Sequence, residues 1–222
     1  MTKFFSIEMA VAVTRSAIGR AHGSCDVQIM FAHCTSLCKE IWNPVLEELS
    51  PLLSARELRA DAVLFDFYGH GDSGQIAIES AAEDALWSKF CPANICEALG
   101  IIGRQQATIP LVGVGHSMGG AGMVYAEAAM RDTFQSLILY EPIIFHREQI
   151  EQASAGPNVL AAQASKRRSS WPSRKDAYDS LRNRGIFKKF TQECFEEYLY
   201  HGLTISHDGR WRRWESHLRR PN

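Results

Sequence analysis

A serine with glycine two residues before it and two after, in Gly115-His116-Ser117-Met118-Gly119-Gly120, is the stretch of this chain best suited to chemistry. A hydroxyl set on a tight strand-to-helix turn can attack a carbonyl carbon. Such a turn needs almost no side chain at the flanking positions, and Gly115 and Gly119 supply that. The surrounding segments agree with it. Ile109 to Val114 is apolar and short enough for a buried parallel strand, while Met118 to Met130 is rich in Ala and Met at helical spacing. A bare G-x-S-x-G arises by chance in many chains, and the competing reading is a glycine-rich turn without chemical use; strand before and helix after favour the nucleophile.

The order of strand, small polar turn and helix recurs elsewhere. Asp26 to Ala32 reads as a buried strand, followed by His33-Cys34-Thr35-Ser36 and a helix near Lys39 to Leu49. Ala62 to Phe67 is a further strand, closed by the tight loop Tyr68-Gly69-His70-Gly71-Asp72-Ser73-Gly74. Glu79 to Leu99 reads as one or two helices, broken or kinked at Pro92. Ser136 to Tyr140 is another strand, ending at Glu141-Pro142. This alternation predicts βαβ units and a mostly parallel sheet with helices on both faces, and places ligands at the C-terminal strand ends, where His33, Gly69, Ser117 and Glu141 fall. Phe4 to Thr14 fits a strand pair or a helix equally well. After residue 145 the pattern changes: Arg147 to Tyr200 has no strand-like run, and helical spacing appears in Tyr178 to Leu181 and Phe187 to Leu199. The organisation expected is a core over 1–145 and a helical insertion with a C-terminal tail over 146–222.

The chain has 222 residues and a net charge of −1, enough length for a full core and no charge bias toward a nucleic-acid partner. No stretch is apolar enough to span a bilayer, and Glu8 and Arg15 interrupt the N-terminal apolar run, so no membrane partner and an intracellular location are expected. The six cysteines form neither C-x-x-C pairs nor Cys/His ligand spacing, which argues for reduced thiols and against a zinc site. The basic triplet Lys166-Arg167-Arg168 reads as a solvated helix face rather than an address.

Taken together, Phe31-Ala32-His33, Trp42-Asn43-Pro44-Val45, Asp66-Phe67-Tyr68-Gly69-His70-Gly71-Asp72-Ser73, Gly115-His116-Ser117-Met118-Gly119-Gly120 and Leu137 to Pro142 resemble the α/β-hydrolase family in its cap-bearing form, over roughly residues 25 to 210. Met1 to Glu8 and the Gly-His-Ser-Met-Gly-Gly elbow are similar to fungal hydrolases of polyketide and host-selective toxin biosynthesis; the resemblance leaves a cytoplasmic or a peroxisomal location open, and Arg220-Pro221-Asn222 is not an S-K-L type ending. The resemblance implies that Ser117 is the nucleophile and that the backbone N–H groups of Met118 and Thr35 form the oxyanion hole. Cys34 stands where the family usually has glycine, Ser36 where it often has another, and Tyr68 where many relatives have Arg. His33, His70 and His116 are expected to hold loops together rather than exchange protons.

A triad also needs a histidine base and a carboxylate. Glu141 follows the strand after the elbow, where some of these hydrolases carry the acid; its other reading is a strand-end carboxylate capping the turn before Pro142. In the family the histidine usually follows two further strands. Only 22 residues follow Tyr200, with at most one strand-like run, Leu203 to Ser206, so the chain is expected to be shortened at its C-terminus. His201, His207 and His217 lie in no recognisable strand-to-loop context. The resulting expectation is a serine hydrolase of an ester, thioester or lactone carbonyl, with a small-molecule acyl substrate and no cofactor or metal. The alternatives are an acyltransferase of the same fold and a non-catalytic relative.

Overall fold

A computed structural model of the protein describes residues 11–75, 86–103, 108–144 and 168–213. Its central sheet has five strands: β1 (Val13–Gly19), β2 (Val27–Ala32), β3 (Arg59–Phe65), β4 (Leu111–His116) and β5 (Ser136–Tyr140), in the order β1-β3-β2-β4-β5. β2, β3, β4 and β5 run parallel; β1 joins β3 antiparallel, Val13 opposite Phe65 and Gly19 opposite Arg59. That antiparallel strand begins within the segment whose sequence left strand and helix open. Residues 1–10 lie outside the described residues.

Alternation along β2 divides the core into two faces. Met30 and Ala32 join Val63, Phe65, Ile95 and Met123 on one side, and Ile29 and Phe31 join Ile18, Leu64 and Leu46 on the other. The first face is covered by α2 (Leu86–Ile101) and α3 (Met118–Ala129), the second by α1 (Asn43–Ser54). Period-2 side chains on strands that are buried on both sides require this sandwich of helices around a parallel sheet. The helix expected from Lys39 begins as a 3₁₀ turn over Lys39–Trp42, and α1 proper starts at Asn43, with Pro44 in its first turn, where a missing N–H costs nothing. Pro92 does not break α2, which runs continuously through it.

C-terminal to the sheet, α4 (Arg174–Leu181) and α5 (Gln192–His201) pack with a small antiparallel sheet of β6 (Ser170–Trp171), β8 (Trp211–Arg213) and β7 (Leu203–Ile205), in that order. Two of these strands were not legible as such. β6 is two residues long and β8 is Trp-Arg-Arg, so neither shows apolar alternation; pairing across the unit, Trp171 opposite Trp211 and Ile205 opposite Trp211, makes them strands. Both helices are capped by side chains, Ser173 Oγ accepting from the Asp176 N–H at 3.0 Å and Thr191 Oγ1 from the Cys194 N–H at 3.3 Å. Trp171, Phe195, Tyr198 and Leu181 form an apolar cluster that also takes in Cys34, Leu37, Cys38 and Ile41, so this unit sits directly on the segment after β2.

Candidate active site

Ser117 stands between β4 and α3 with φ 55° and ψ −115°, a backbone conformation that non-glycine residues rarely adopt. Three bonds hold it there. Its N–H donates to the Tyr140 carbonyl at 2.9 Å, and its own carbonyl accepts from Ala121 at 3.1 Å and Ile143 at 3.3 Å. Close backbone approach explains the flanking glycines. A Cβ on Gly115 would lie 2.6 Å from the Gly120 Cα, and one on Gly119 would lie 2.4 Å from the Ala32 carbonyl oxygen. The half-buried Ser117 is thus presented at the C-terminal edge of the sheet, between the ends of β2 and β5.

Met118 is the first residue of α3, so its N–H is among those with no partner inside the helix. Thr35 lies beside it: Thr35 Oγ1 is 3.2 Å from Met118 Sδ. The sheet therefore brings Ser117, Met118 and Thr35 together. Residues 34–37 form a turn closed by the Leu37 N–H on the Cys34 carbonyl at 3.3 Å, with Ser36 at φ 71°. A residue with positive φ at the third position is the signature of a type II turn, which normally asks for glycine.

Two buried imidazoles tie this turn to the loop after β3. His33 Nε2 accepts from the Phe67 N–H at 3.3 Å, which places the ring proton on Nδ1, 2.8 Å from the Cys34 carbonyl. His70 repeats the arrangement. Its Nε2 accepts from the Ser36 N–H at 3.1 Å and its Nδ1 lies 3.1 Å from the Tyr68 carbonyl. Tyr68 anchors the loop to α2: its N–H donates to Asn94 Oδ1 at 2.8 Å and its hydroxyl to Glu97.

Sequence reasoning missed the groups beneath this turn. Asp66, fully buried, accepts from the Lys39 N–H at 2.8 Å, from Lys39 Nζ at 2.9 Å and from the Asp72 N–H at 3.0 Å. Lys39 Nζ also reaches Glu40 at 2.6 Å and Asp72 at 2.5 Å. Burial pushes the Asp66 carboxyl up to about 6, against the pull of the Lys39 ammonium, so it is a carboxylate at neutral pH. Burial works against the Lys39 charge too, but the carboxylates, Asp66 first, outweigh it and hold Lys39 above its ordinary value. Glu40, Asp66 and Asp72 bring carboxylate oxygens within 4.8 Å of one another, a spacing that suits a cation, and Lys39 Nζ is the cation among them. Lys39 was legible only as a helix start; the signal for Asp66 was Gly71, where a Cβ would meet the carboxylate at 2.3 Å.

Glu141 follows β5 at φ 44° and is exposed. Its electrostatic neighbour is His116: burial lowers the His116 pKa and the Glu141 carboxylate partly restores it. The His116 ring lies 5.1 Å from that of Tyr140. Among the described residues no histidine hydrogen-bonds the Ser117 hydroxyl. His201, at the end of α5, has Nδ1 3.8 Å from Glu40 and Nε2 3.6 Å from Glu197, and it lines an open hollow of about 490 Å³ with Arg174, Leu199 and Tyr200. His207 is exposed in the turn after β7, and His217 lies outside the described residues.

Comparison with known proteins agrees with this geometry. The type I acyl-CoA thioesterase mpaH of Penicillium brevicompactum is 27% identical over 181 residues, covering 79% of this chain and 39% of that protein. The abhydrolase domain-containing protein AFT2-1 of Alternaria alternata is 38% identical over 73 residues, 33% of this chain and 26% of that protein. The chain thus spans well under half the length of these curated relatives. Among solved structures, the peroxisomal α/β-hydrolase Lpx1 of Saccharomyces cerevisiae superimposes with a TM-score of 0.70 at 16% identity, over 94% of this chain and 65% of that one. A sequence profile described as the alpha/beta hydrolase family matches residues 29–222, and with the elbow, the parallel sheet and the turn after β2 in place, this chain belongs to that family.

Proposed function

We propose that the chain carries the nucleophile and oxyanion hole of a serine hydrolase that cleaves an ester, thioester or lactone through an acyl-enzyme. The observation that carries this reading is the left-handed Ser117 between β4 and α3, held by three backbone bonds and walled by glycines. Strain of this kind, of order 1–3 kcal/mol, persists where the surroundings over-determine it, and it is common at catalytic centres. In the reaction the Ser117 oxygen adds to the carbonyl carbon and its proton passes to a base. The carbonyl oxygen becomes an oxyanion facing the Met118 and Thr35 N–H groups, and the alcohol or thiol leaves as the carbonyl reforms. Water then repeats the sequence to release the acid.

Glu141 is the proposed triad acid, supported by its place after β5, whose Tyr140 carbonyl holds the Ser117 N–H. The relative named an acyl-CoA thioesterase supports a small acyl substrate, with a thioester as the first class to test, and a place in secondary metabolism belongs to the same proposal. An intracellular site of action, cytoplasmic or peroxisomal, belongs to the same proposal; the peroxisomal neighbour supports it, and no described helix is long and apolar enough to cross a membrane. A second reading, a relative that keeps the fold without turnover, is favoured by one fact: none of the described histidines hydrogen-bonds Ser117.

Hydrolysis of short p-nitrophenyl esters and acyl thioesters by the purified chain and by Ser117→Ala separates the two. Turnover that Ser117→Ala lowers by about 10⁴-fold or more supports the hydrolase. Equal, background rates support the second reading.

A further inference from the structure

We propose that His33 is a positioning residue for the oxyanion hole: through Nδ1 it holds the Cys34–Thr35 peptide, the unit that carries the Thr35 N–H. The inference rests on the reading of Thr35 as an oxyanion donor. It starts from peptide geometry. The Cys34 carbonyl and the Thr35 N–H belong to one planar trans unit and point in opposite directions, so whatever fixes the carbonyl also fixes the line along which the N–H points. Two donors fix it. His33 Nδ1 lies 2.8 Å from the Cys34 oxygen, and the Leu37 N–H reaches the same oxygen at 3.3 Å. The imidazole supplies the shorter bond, and it does so from outside the turn at residues 34–37.

The ring is itself anchored on its other side. Its Nε2 accepts from the Phe67 N–H at 3.3 Å, which leaves the ring proton on Nδ1; Asp66 Oδ1, 3.5 Å from Nε2, takes the Lys39 N–H at 2.8 Å. The side chain is fully buried, with its ring edge-on to that of Phe67 at 5.1 Å and 5.2 Å from that of His70. It cannot swing away from the carbonyl without breaking these contacts. The loop after β3 thus sets, through one imidazole, the direction of an N–H in the turn after β2. The same bond also polarises the peptide, and a peptide whose carbonyl accepts a hydrogen bond is a stronger donor at its N–H. His70, by contrast, holds the Ser36 N–H, which belongs to the next peptide along.

Two substitutions separate the two ring nitrogens. His33→Asn sets an amide nitrogen near the place of Nδ1 and loses the acceptor for Phe67, whereas His33→Gln sets an amide oxygen near the place of Nε2 and loses the donor to Cys34. Ester hydrolysis gives kcat and KM, affinity for an aryl trifluoromethyl ketone reports the tetrahedral state, and hydrogen exchange follows the Leu37 and Phe67 amides. His33→Gln is expected to lower kcat by about tenfold or more, with KM within about twofold and ketone affinity falling in step. His33→Asn should keep kcat within about threefold of the parent, even where urea denaturation shows it to be no more stable than His33→Gln. The Leu37 amide should exchange faster in His33→Gln alone, and the Phe67 amide in His33→Asn alone. Nitrogen NMR of the parent, labelled in histidine, should find Nδ1 of His33 protonated. An unprotonated Nδ1 would overturn the proposal, as would parent kcat in His33→Gln or equal losses of kcat in the two variants. If the parent itself hydrolyses no ester, the hydrolase reading fails separately, and the other two measurements decide: a protonated Nδ1 together with faster Leu37 exchange confined to His33→Gln supports the positioning role, and the absence of either overturns it.

Discussion

Thr35 and Gly119 show how differently single residues at this site respond to replacement. In the proposed oxyanion hole Thr35 would act through its main chain, so Thr35→Ala should leave ester hydrolysis near the parent rate. Thr35→Pro deletes the N–H and should cost about 10²–10³ in kcat, as steady-state kinetics on the two variants will show. Gly119 is constrained by space: a Cβ there lies 2.4 Å from the Ala32 oxygen and 2.6 Å from the His33 oxygen, both backbone atoms that cannot step aside. Gly119→Ala should therefore destabilise the fold by about 1–3 kcal/mol in urea denaturation and reduce activity further by pushing β2 from the elbow. Gly100, also helical but with nothing within 4 Å, is the control. Gly100→Ala should be neutral or stabilising by up to about 1 kcal/mol.

At the scale of elements, the sheet was legible because β2, β3, β4 and β5 are buried runs of Val, Ile, Leu and Phe with small turns after them. The strained turn at Ser117 was legible because close backbone approach selects glycine at both flanks. The three-stranded sheet of the C-terminal unit was not. Ser170-Trp171 and Trp211-Arg212-Arg213 carry no alternation, and their strand state comes from contacts between segments about 40 residues apart. The Lys39–Asp66 pair was hidden for a similar reason, since a lysine and an aspartate 27 positions apart announce nothing until folding buries them together. Trp171 is fully buried at the centre of the C-terminal unit's cluster with Phe195 and Tyr198. Trp171→Ala should cost about 3–5 kcal/mol. Because that cluster includes Leu37 and Cys38, protease digestion should show the turn after β2 loosening along with α4 and α5.

Across the whole molecule, stability should carry the signature of Asp66. Its folded pKa of about 6 lies above the ordinary aspartate value of 3.8, so between those values the folded chain keeps a proton that the unfolded chain has released. The contribution of this group is thus fully present below the unfolded pKa and is lost as pH rises through about 6. Relative to Asp66→Asn, which cannot titrate, the parent should lose stability between pH 4 and pH 6.5 in urea titrations. A relative gain over that window would mean that the attraction of Lys39 outweighs burial. The β5 side of the sheet adds a second property of the whole: Ile138 and Tyr140 are 59% and 63% exposed on β5, an edge strand among the described residues, so apolar side chains lie at the surface there.

The central claim is that Ser117 becomes covalently acylated. The most direct measurement is mass spectrometry of the folded chain after brief exposure to a p-nitrophenyl ester, followed by peptide mapping of the parent and of Ser117→Ala. One acyl group on the peptide containing Ser117, absent from Ser117→Ala, is the result predicted. A folded parent that carries no acyl group, or one whose acylation Ser117→Ala leaves unchanged, would contradict it.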